Sequence, residues 1–200
     1  MPQQSEKRAA RRGPGASPSR AANKVRIIGG RHRGRILRFP AVEGLRPTPD
    51  RVRETLFNWL GQDLTGRTCL DLFAGSGALG LEAASRGASE VTLVERSRTV
   101  CAALEENTAA LGERGVRIVC GDALEFAARS AGRFDVVFVD PPYGSGLAEK
   151  ALALLPRLLA PGGRVYFESD RRFPGDARWR TVREGRAGAV HFHLVELVDS

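Results

Sequence analysis

The tetrapeptide Asp140-Pro141-Pro142-Tyr143 closes an apolar run, DVVFVD at 135–140, and holds residue types able to grip a planar amine. Its prolines carry no backbone N–H and stiffen the turn. A backbone carbonyl and the Asp140 carboxylate can therefore face one donor group, and an amino group on a nucleobase has two protons to give them. Tyr143 adds a flat face for stacking, worth roughly 1–3 kcal/mol per base in single-stranded nucleic acid binding. Taken alone, the same four residues are a strand-ending turn with an exposed tyrosine.

A second constellation is CLDLFAGSGALG at 69–80, where an apolar run meets Gly75-Ser76-Gly77 and continues into a helical pattern containing Gly80. This spacing, GxGxxG, lets the backbone turn tightly and approach a ligand, and Glu95 lies twenty residues after Gly75, placed to accept ribose hydroxyls. Nucleotide-type binding follows, but glycines alone do not say which nucleotide. Two details weigh against a dinucleotide. Asp71 sits in the first strand just before the loop, where it can hold a cationic amino-acid group and would repel a pyrophosphate. Asp122, in CGDALEF, marks a third strand end and suits an adenine amino group.

These motifs need a frame to position them. From Thr68 onward, β-prone runs near 68–73, 90–94, 116–120, 134–139 and 163–168 alternate with helical stretches near 78–86, 97–111, 122–129 and 146–159. Alternation at this spacing implies a doubly wound, mostly parallel sheet covered on both faces. Beyond Pro174 the helical pattern stops, and runs near 178–184 and 189–198 read as two last strands in a hairpin, making seven. Ahead of this α/β body, VRIIGGRHRGRILRF at 25–39 reads as a β-hairpin carrying Arg26, Arg31, Arg33, Arg35 and Arg38 outward. Thr48 before Pro49 reads as the N-cap of a helix with Pro in its first position; Val52, Leu56, Trp59 and Leu60 form its apolar stripe, and Arg51, Glu54 and Asn58 a polar one.

Charge sharpens the picture. Residues 1–60 hold 14 Lys plus Arg against 4 Asp plus Glu, while 61–200 hold 17 against 19, so the net charge of +8 is carried entirely by the front. A near-neutral body with a basic front fits a polyanionic partner. Residues 1–24 carry no large aliphatic side chain after Met1, lack the apolar core of a secretory signal and read as a disordered basic arm. The expected units are thus an arm at 1–24, a hairpin and helix at 25–62, and a catalytic domain at 63–200. Cys69, Cys101 and Cys120 are widely spaced without ligand partners, so buried, reduced thiols in a cytoplasmic protein without a metal are expected. His191 and His193 alternate as one strand face would. No apolar run approaches the roughly 20 residues of a membrane span.

DLFAGSGALG, Glu95, the GD at 121–122 and DPPY resemble, in order, the motifs of S-adenosylmethionine-dependent amino methyltransferases. With RIIGGRHRGRIL and LRPTPDRVRETLFNWL added, the chain from about Val25 onward resembles the RsmD-like family, methyltransferases of guanine N2 in bacterial small-subunit ribosomal RNA. The resemblance implies a Rossmann-like class I methyltransferase fold and a cofactor, S-adenosylmethionine, over Asp71, Phe73, Ala74, Gly75, Ser76 and Gly77. It gives Glu95 to the ribose and Asp122 with Ala123 to the adenine. Asp140 and the Pro141 carbonyl would hold the guanine amine, with Pro142 stiffening the turn and Tyr143 stacking on the base. Arg26, Arg31, Arg33, Arg35, Arg46, Thr48 and Arg51 would meet the RNA, the partner being ribosomal RNA in a partly assembled subunit and the enzyme a monomer. Two readings stay open beside it: an adenine-N6 amino methyltransferase of DNA or RNA, because DPPY serves any such amine, and a nicotinamide-dependent oxidoreductase built on GxGxxG.

Overall fold

The computed structural model describes residues 23–42, 45, 47–142 and 144–198. The alternating part of the chain forms β3 (Thr68–Asp71), α2 (Ala78–Ser85), β4 (Glu90–Glu95), α3 (Arg98–Leu111), β5 (Val116–Cys120), α4 (Ala123–Arg129), β6 (Phe134–Val139) and α5 (Leu147–Leu154). A 3-10 turn at Leu155–Leu158 leads into β7 (Leu159–Ser169), and β8 (Trp179–Ala187) and β9 (Val190–Leu197) complete the sheet. The seven strands lie in the order β5-β4-β3-β6-β7-β9-β8, parallel as far as β7 and antiparallel at β9 and β8. This is the doubly wound sheet the alternation implies. The chain winds outward from β3 to β5, then returns to place β6 on the other side of β3, so the order reverses between those two strands.

Strand parity divides the core. Cys69, Val91, Leu93, Val136, Phe138 and Tyr166 face one side with α2 and α3, whereas Leu70, Leu72, Val94, Val137, Val139 and Val165 face the other with α4 and α5. Each fully buried aliphatic or aromatic side chain contributes roughly 1.5–3 kcal/mol. α2 reads ALGLEAAS, and all eight of its residues are buried. Small side chains let this helix lie close to the sheet, and a Cβ on Gly80 would stand 2.2 Å from Leu93 Cδ2.

The extension packs on the α2 face. Strands β1 (Asn23–Arg26) and β2 (Ile36–Phe39) pair from Asn23↔Phe39 to Arg26↔Ile36, and α1 spans Asp50–Leu60. β1 begins at Asn23, ahead of the expected boundary, because Lys24 pairs with Arg38; the rest of the expected arm lies outside the described residues. Val25, Ile27, Leu37 and Phe39 enter the core together with Val52, Leu56 and Phe57 of α1, while Arg51, Glu54 and Asn58 stay exposed. The N-cap of α1 is Pro49, with no side-chain cap bond, and not Thr48. The Thr48 hydroxyl is engaged elsewhere, as described below.

What fastens the extension is a buried ionic cluster that the hydrophobic pattern does not disclose. Glu82 and Arg53 are both 0% exposed. Glu82 Oε2 accepts from Ile28 N (2.8 Å) and Arg53 Nη1 (3.3 Å), and Oε1 from Gly29 N (2.7 Å) and Arg86 Nε (2.9 Å). Arg53 also donates to the carbonyls of Thr48 (3.2 Å) and Arg26 (2.8 Å) and to Asp50 Oδ1 (2.6 Å). Arg86 donates to Gln62 Oε1 (2.6 Å) and lies over the Phe57 ring, 4.7 Å from its centroid. The hairpin tip leaves no room for side chains: a Cβ on Gly30, whose φ is +71°, would stand 1.9 Å from Ser85 O. Removing the Glu82 charge leaves two guanidinium groups facing each other without it. Glu82→Gln is expected to cost about 3–5 kcal/mol, seen in urea as a lower midpoint at unchanged slope.

Candidate active site

The parity that sorts the core also aligns four carboxylates. Asp71 follows Cys69 by two, Glu95 follows Leu93, Asp140 follows Phe138 and Glu168 follows Tyr166, so all four continue the α2 side of the sheet at the C-terminal ends of adjacent strands. Along the sheet they run Glu95, Asp71, Asp140, Glu168. Asp140 and Glu168 each come directly after the paired residues Val139 and Phe167, which puts them side by side. Asp71 and Asp140 flank the point where strand order reverses, the crevice where open α/β sheets take their ligands.

Their partners differ. Glu95 is satisfied by the backbone, accepting from Gly75 N at 3.1 Å and Ser97 N at 2.7 Å. Asp71 is 1% exposed; its Oδ2 accepts from Gly80 N at 2.9 Å, while Oδ1 is buried with no hydrogen-bond partner among the described residues. Desolvation, opposed by the Gly80 N–H and reinforced by the charges of Asp140 and Glu95, pushes Asp71 up to about 7. Asp140 Oδ2 accepts from the Thr48 hydroxyl at 2.9 Å, and desolvation outweighs that bond to raise the carboxyl to about 6. Glu168 Oε1 accepts from the buried Tyr166 hydroxyl at 2.7 Å; desolvation and the neighbouring Asp140 charge lift Glu168 to about 8. Among the described residues, no lysine, arginine or histidine pairs with any of the four. Such a row attracts a cation or a set of N–H donors.

The glycine turn follows directly on the end of β3. Gly75 and Gly77 take φ of +50° and +76°, and Gly77 is the N-cap of α2. A Cβ on Gly75 would stand 2.8 Å from Leu45 Cδ1, so the turn lies against the Leu45 side chain and leaves no room for another one at position 75. Phe73 is half-buried, and Ala74 and Ser76 are buried. These features fit the S-adenosylmethionine that the sequence implies: a buried carboxylate oxygen with no partner among the described residues for a cationic group, acceptors for hydroxyls and a turn whose glycines expose backbone.

Other anticipated residues lie further out. Asp122 is exposed and caps α4, accepting from Glu125 N at 2.9 Å; Ala123 is buried behind it. Arg46 and Tyr143 lie outside the described residues. Arg33 and Arg51 are exposed, and Arg26 is 3.4 Å from Asp50. Arg31 reaches back to Glu113 with both Nε (3.0 Å) and Nη2 (2.5 Å), and Arg35 Nη2 donates to Ala110 O at 3.1 Å. Lys24, Arg26, Ile36, Pro47 and Thr48 line a groove of about 370 Å³ from the hairpin toward the Asp140 side. Cys69 and Cys101 are buried as expected, but Cys120 is exposed, because it ends the edge strand β5. Sequence reasoning missed Glu168 and Tyr166; the signal was available, since an acidic residue closes the fifth β-prone run just as Asp71, Glu95 and Asp140 close theirs. Among the described residues, no helix is long and apolar enough to cross a membrane.

The strand order, the glycine turn at the reversal point and the acidic strand ends define a Rossmann-like class I methyltransferase. The solved structure of yhhF from Escherichia coli overlays with a TM-score of 0.78 at 46% identity, covering 86% of this chain and 97% of that one. A 16S rRNA N2 methyltransferase (RsmC) from Thermus thermophilus, solved with AdoMet and guanosine, overlays at 0.67 with 25% identity, covering 88% of this chain and 50% of that one. Residues 25–196 match the family described as Conserved hypothetical protein 95. The chain is also 46% identical over 180 residues to Ribosomal RNA small subunit methyltransferase D of Escherichia coli, spanning 88% of this chain and 91% of that protein. It belongs to the small subunit methyltransferase D family.

The acidic row makes stability depend on pH. Asp71 near 7 and Glu168 near 8 hold protons in the fold that the unfolded chain has released, so their contribution is complete at low pH and is lost as pH rises through those values. Between pH 6.5 and 8.5 the free protein is expected to melt at progressively lower temperature. His193, lowered by burial, acts in the opposite sense below that window. Scanning calorimetry of Asp71→Asn and Glu168→Gln checks the assignment: each should flatten the slope, and an unchanged slope in both would contradict it.

Proposed function

We propose that this protein transfers a methyl group from S-adenosylmethionine to the exocyclic N2 amine of a guanine in small-subunit ribosomal RNA, presented by a partly assembled subunit. The observation that carries the reading is the row of carboxylates on four adjacent strand ends, without a cationic partner among the described residues, reaching from the glycine turn to the Asp-Pro-Pro turn. The family supports it, as does the N2 chemistry of the Thermus relative.

S-adenosylmethionine, when bound, supplies a methyl group on a positively charged sulfur. Asp71, whose Oδ1 has no partner among the described residues, and the backbone from Phe73 to Gly77 would hold the amino-acid part, Glu95 the ribose, and Asp122 with Ala123 the adenine. On the substrate side the chain's task is positioning. A guanine N2 amine is a poor nucleophile because its lone pair is delocalised into the ring. Acceptors fixed on both of its protons favour the pyramidal form, and Asp140 Oδ1 and the Pro141 carbonyl would be those acceptors. Thr48 holds the other oxygen of Asp140, at 2.9 Å, so the carboxylate cannot rotate away. As the amine becomes cationic, Asp140 stabilises charge that exists only in the transition state and can then take the released proton. Tyr143 would stack on a base drawn out of its helix or loop. The exposed arginines of the hairpin face would contact phosphates without reading sequence.

Asp140→Asn is expected to keep S-adenosylmethionine affinity within about threefold while lowering single-turnover transfer by at least about 10²-fold, as the loss of one charge-stabilising group does. Nucleoside mass spectrometry after incubation with unmodified small subunits, naked 16S RNA or duplex DNA identifies the product. N2-methylguanosine from an RNA sample is expected; methyladenine in any sample would overturn the base assignment. Arg33, which is exposed, should govern salt dependence more than Arg31, which Glu113 neutralises. Arg33→Glu is expected to flatten the plot of RNA affinity against salt, and Arg31→Ala to leave it nearly unchanged.

A further inference from the structure

Beside Asp140 stands a second carboxylate that the transfer described above does not use. Glu168 and Asp140 occupy the same level of neighbouring parallel strands on the same side of the sheet. Each has one oxygen engaged, Glu168 Oε1 by Tyr166 at 2.7 Å and Asp140 Oδ2 by Thr48 at 2.9 Å. Each has one oxygen, Oε2 and Oδ1, with no partner among the described residues. Tyr166 is 0% exposed, its ring packed 6.4 Å from that of Phe192, so the residue holding Glu168 is itself fixed. The site thus presents two adjacent carboxylates where the amine, held by Asp140 and the Pro141 carbonyl, needs only one of them.

Which base has two adjacent donors to match is a question of its edge. Guanine places N1–H next to its N2 amine. Adenine places an acceptor, N1, beside its N6 amine, and cytosine places N3 beside N4, so either would set a lone pair against a carboxylate. Resting on the reading of the site under Proposed function, we propose that Glu168 is the specificity-determining residue: its Oε2 accepts N1–H while Asp140 Oδ1 accepts one proton of the adjacent N2 amine, with Tyr166 as the positioning residue for Glu168. The pair then selects guanine over the other amino-bearing bases, whichever RNA strand presents it. The Glu168 carboxyl, raised to about 8 by desolvation and the Asp140 charge, is a group short of donors, as this role requires.

The test compares two substrates that share the 2-amine, 2-aminopurine lacking both the N1–H and the O6 of guanine, with the Glu168 and Tyr166 variants isolating the N1–H part of the preference. Small-subunit RNA assembled from ligated synthetic fragments carries either guanine or 2-aminopurine at the target position; 2-aminopurine keeps the amine but has an acceptor at N1. Single-turnover methyl transfer is measured for wild type, Glu168→Gln and Tyr166→Phe, with S-adenosylmethionine binding measured in parallel. Wild type should prefer guanine strongly. Glutamine can offer either an oxygen or an amide N–H to N1, so Glu168→Gln should reduce that preference at least about 10²-fold, within the range by which polar sites reject analogues lacking a matching group. Tyr166→Phe, which keeps the ring and removes only the hydroxyl, should reduce it about tenfold and provides the test if the glutamine variant does not fold. A wild type that methylates both bases equally, or variants that keep the wild-type preference while slowing both substrates alike, would overturn the proposal with N2 methylation intact. A wild type that methylates guanine N2 in no RNA sample would instead remove the reading on which it rests.

Discussion

A single carboxylate with no exposed surface, Glu82, has to satisfy two guanidinium groups and two backbone amides, and the N-terminal hairpin and α1 are arranged around it. Burying three charges is costly unless each finds partners at hydrogen-bonding distance, and here they do. The consequence reaches well beyond the cluster. Arg53, held by Glu82, grips the Thr48 carbonyl, and the Thr48 hydroxyl holds Asp140. Three side chains therefore connect the middle of α2 to the carboxylate at the end of β6. The hairpin tip is fixed by the same residue through the amides of Ile28 and Gly29, so extension and sheet behave as one body.

The molecule treats its buried charges in two opposite ways. Glu82 is fully paired and structural. Asp71, Asp140 and Glu168 are left short of partners, and each is raised toward or past neutrality as a result. Leaving like charges near one another under low polarity stores unfavourable energy in the empty site, which a cation or an array of N–H groups relieves on arrival. Glu95, at the end of the row, is already satisfied by Gly75 and Ser97 and so shapes the glycine turn as well as facing the crevice.

Much of this was legible in the residues. The strand and helix alternation after Thr68 follows from periodicity alone, and each run falls within a few residues of its expected place because β-prone and helix-prone segments are cleanly separated by glycine, proline and charged turns. Asp71, Glu95 and Asp140 stood out because motifs surround them. Glu168 did not, since it lies in an ordinary strand ending and becomes notable only when parity and strand order set it beside Asp140. Arg53 and Glu82 were hidden for a related reason: each sits in a helical pattern where charged residues normally face solvent, and only the docking of the hairpin buries them. Thr48 before Pro49 has the sequence pattern of a cap, but its hydroxyl goes to a partner 92 residues away, which local pattern does not reveal.

The hairpin's dependence on Glu82 also orders events during synthesis. A ribosome delivers the chain from its N-terminus, and the amides of Ile28 and Gly29 leave it 54 and 53 residues before the carboxylate that receives them. Until α2 has emerged and packed on β3, the two basic strands have nothing to close upon and Arg53 has no counter-charge. The hairpin and α1, although made first, are therefore assembled after the first strand and helix of the sheet. A nascent chain stalled before residue 82 presents a cationic, unlocked segment, whereas one a few dozen residues longer can tie that segment down.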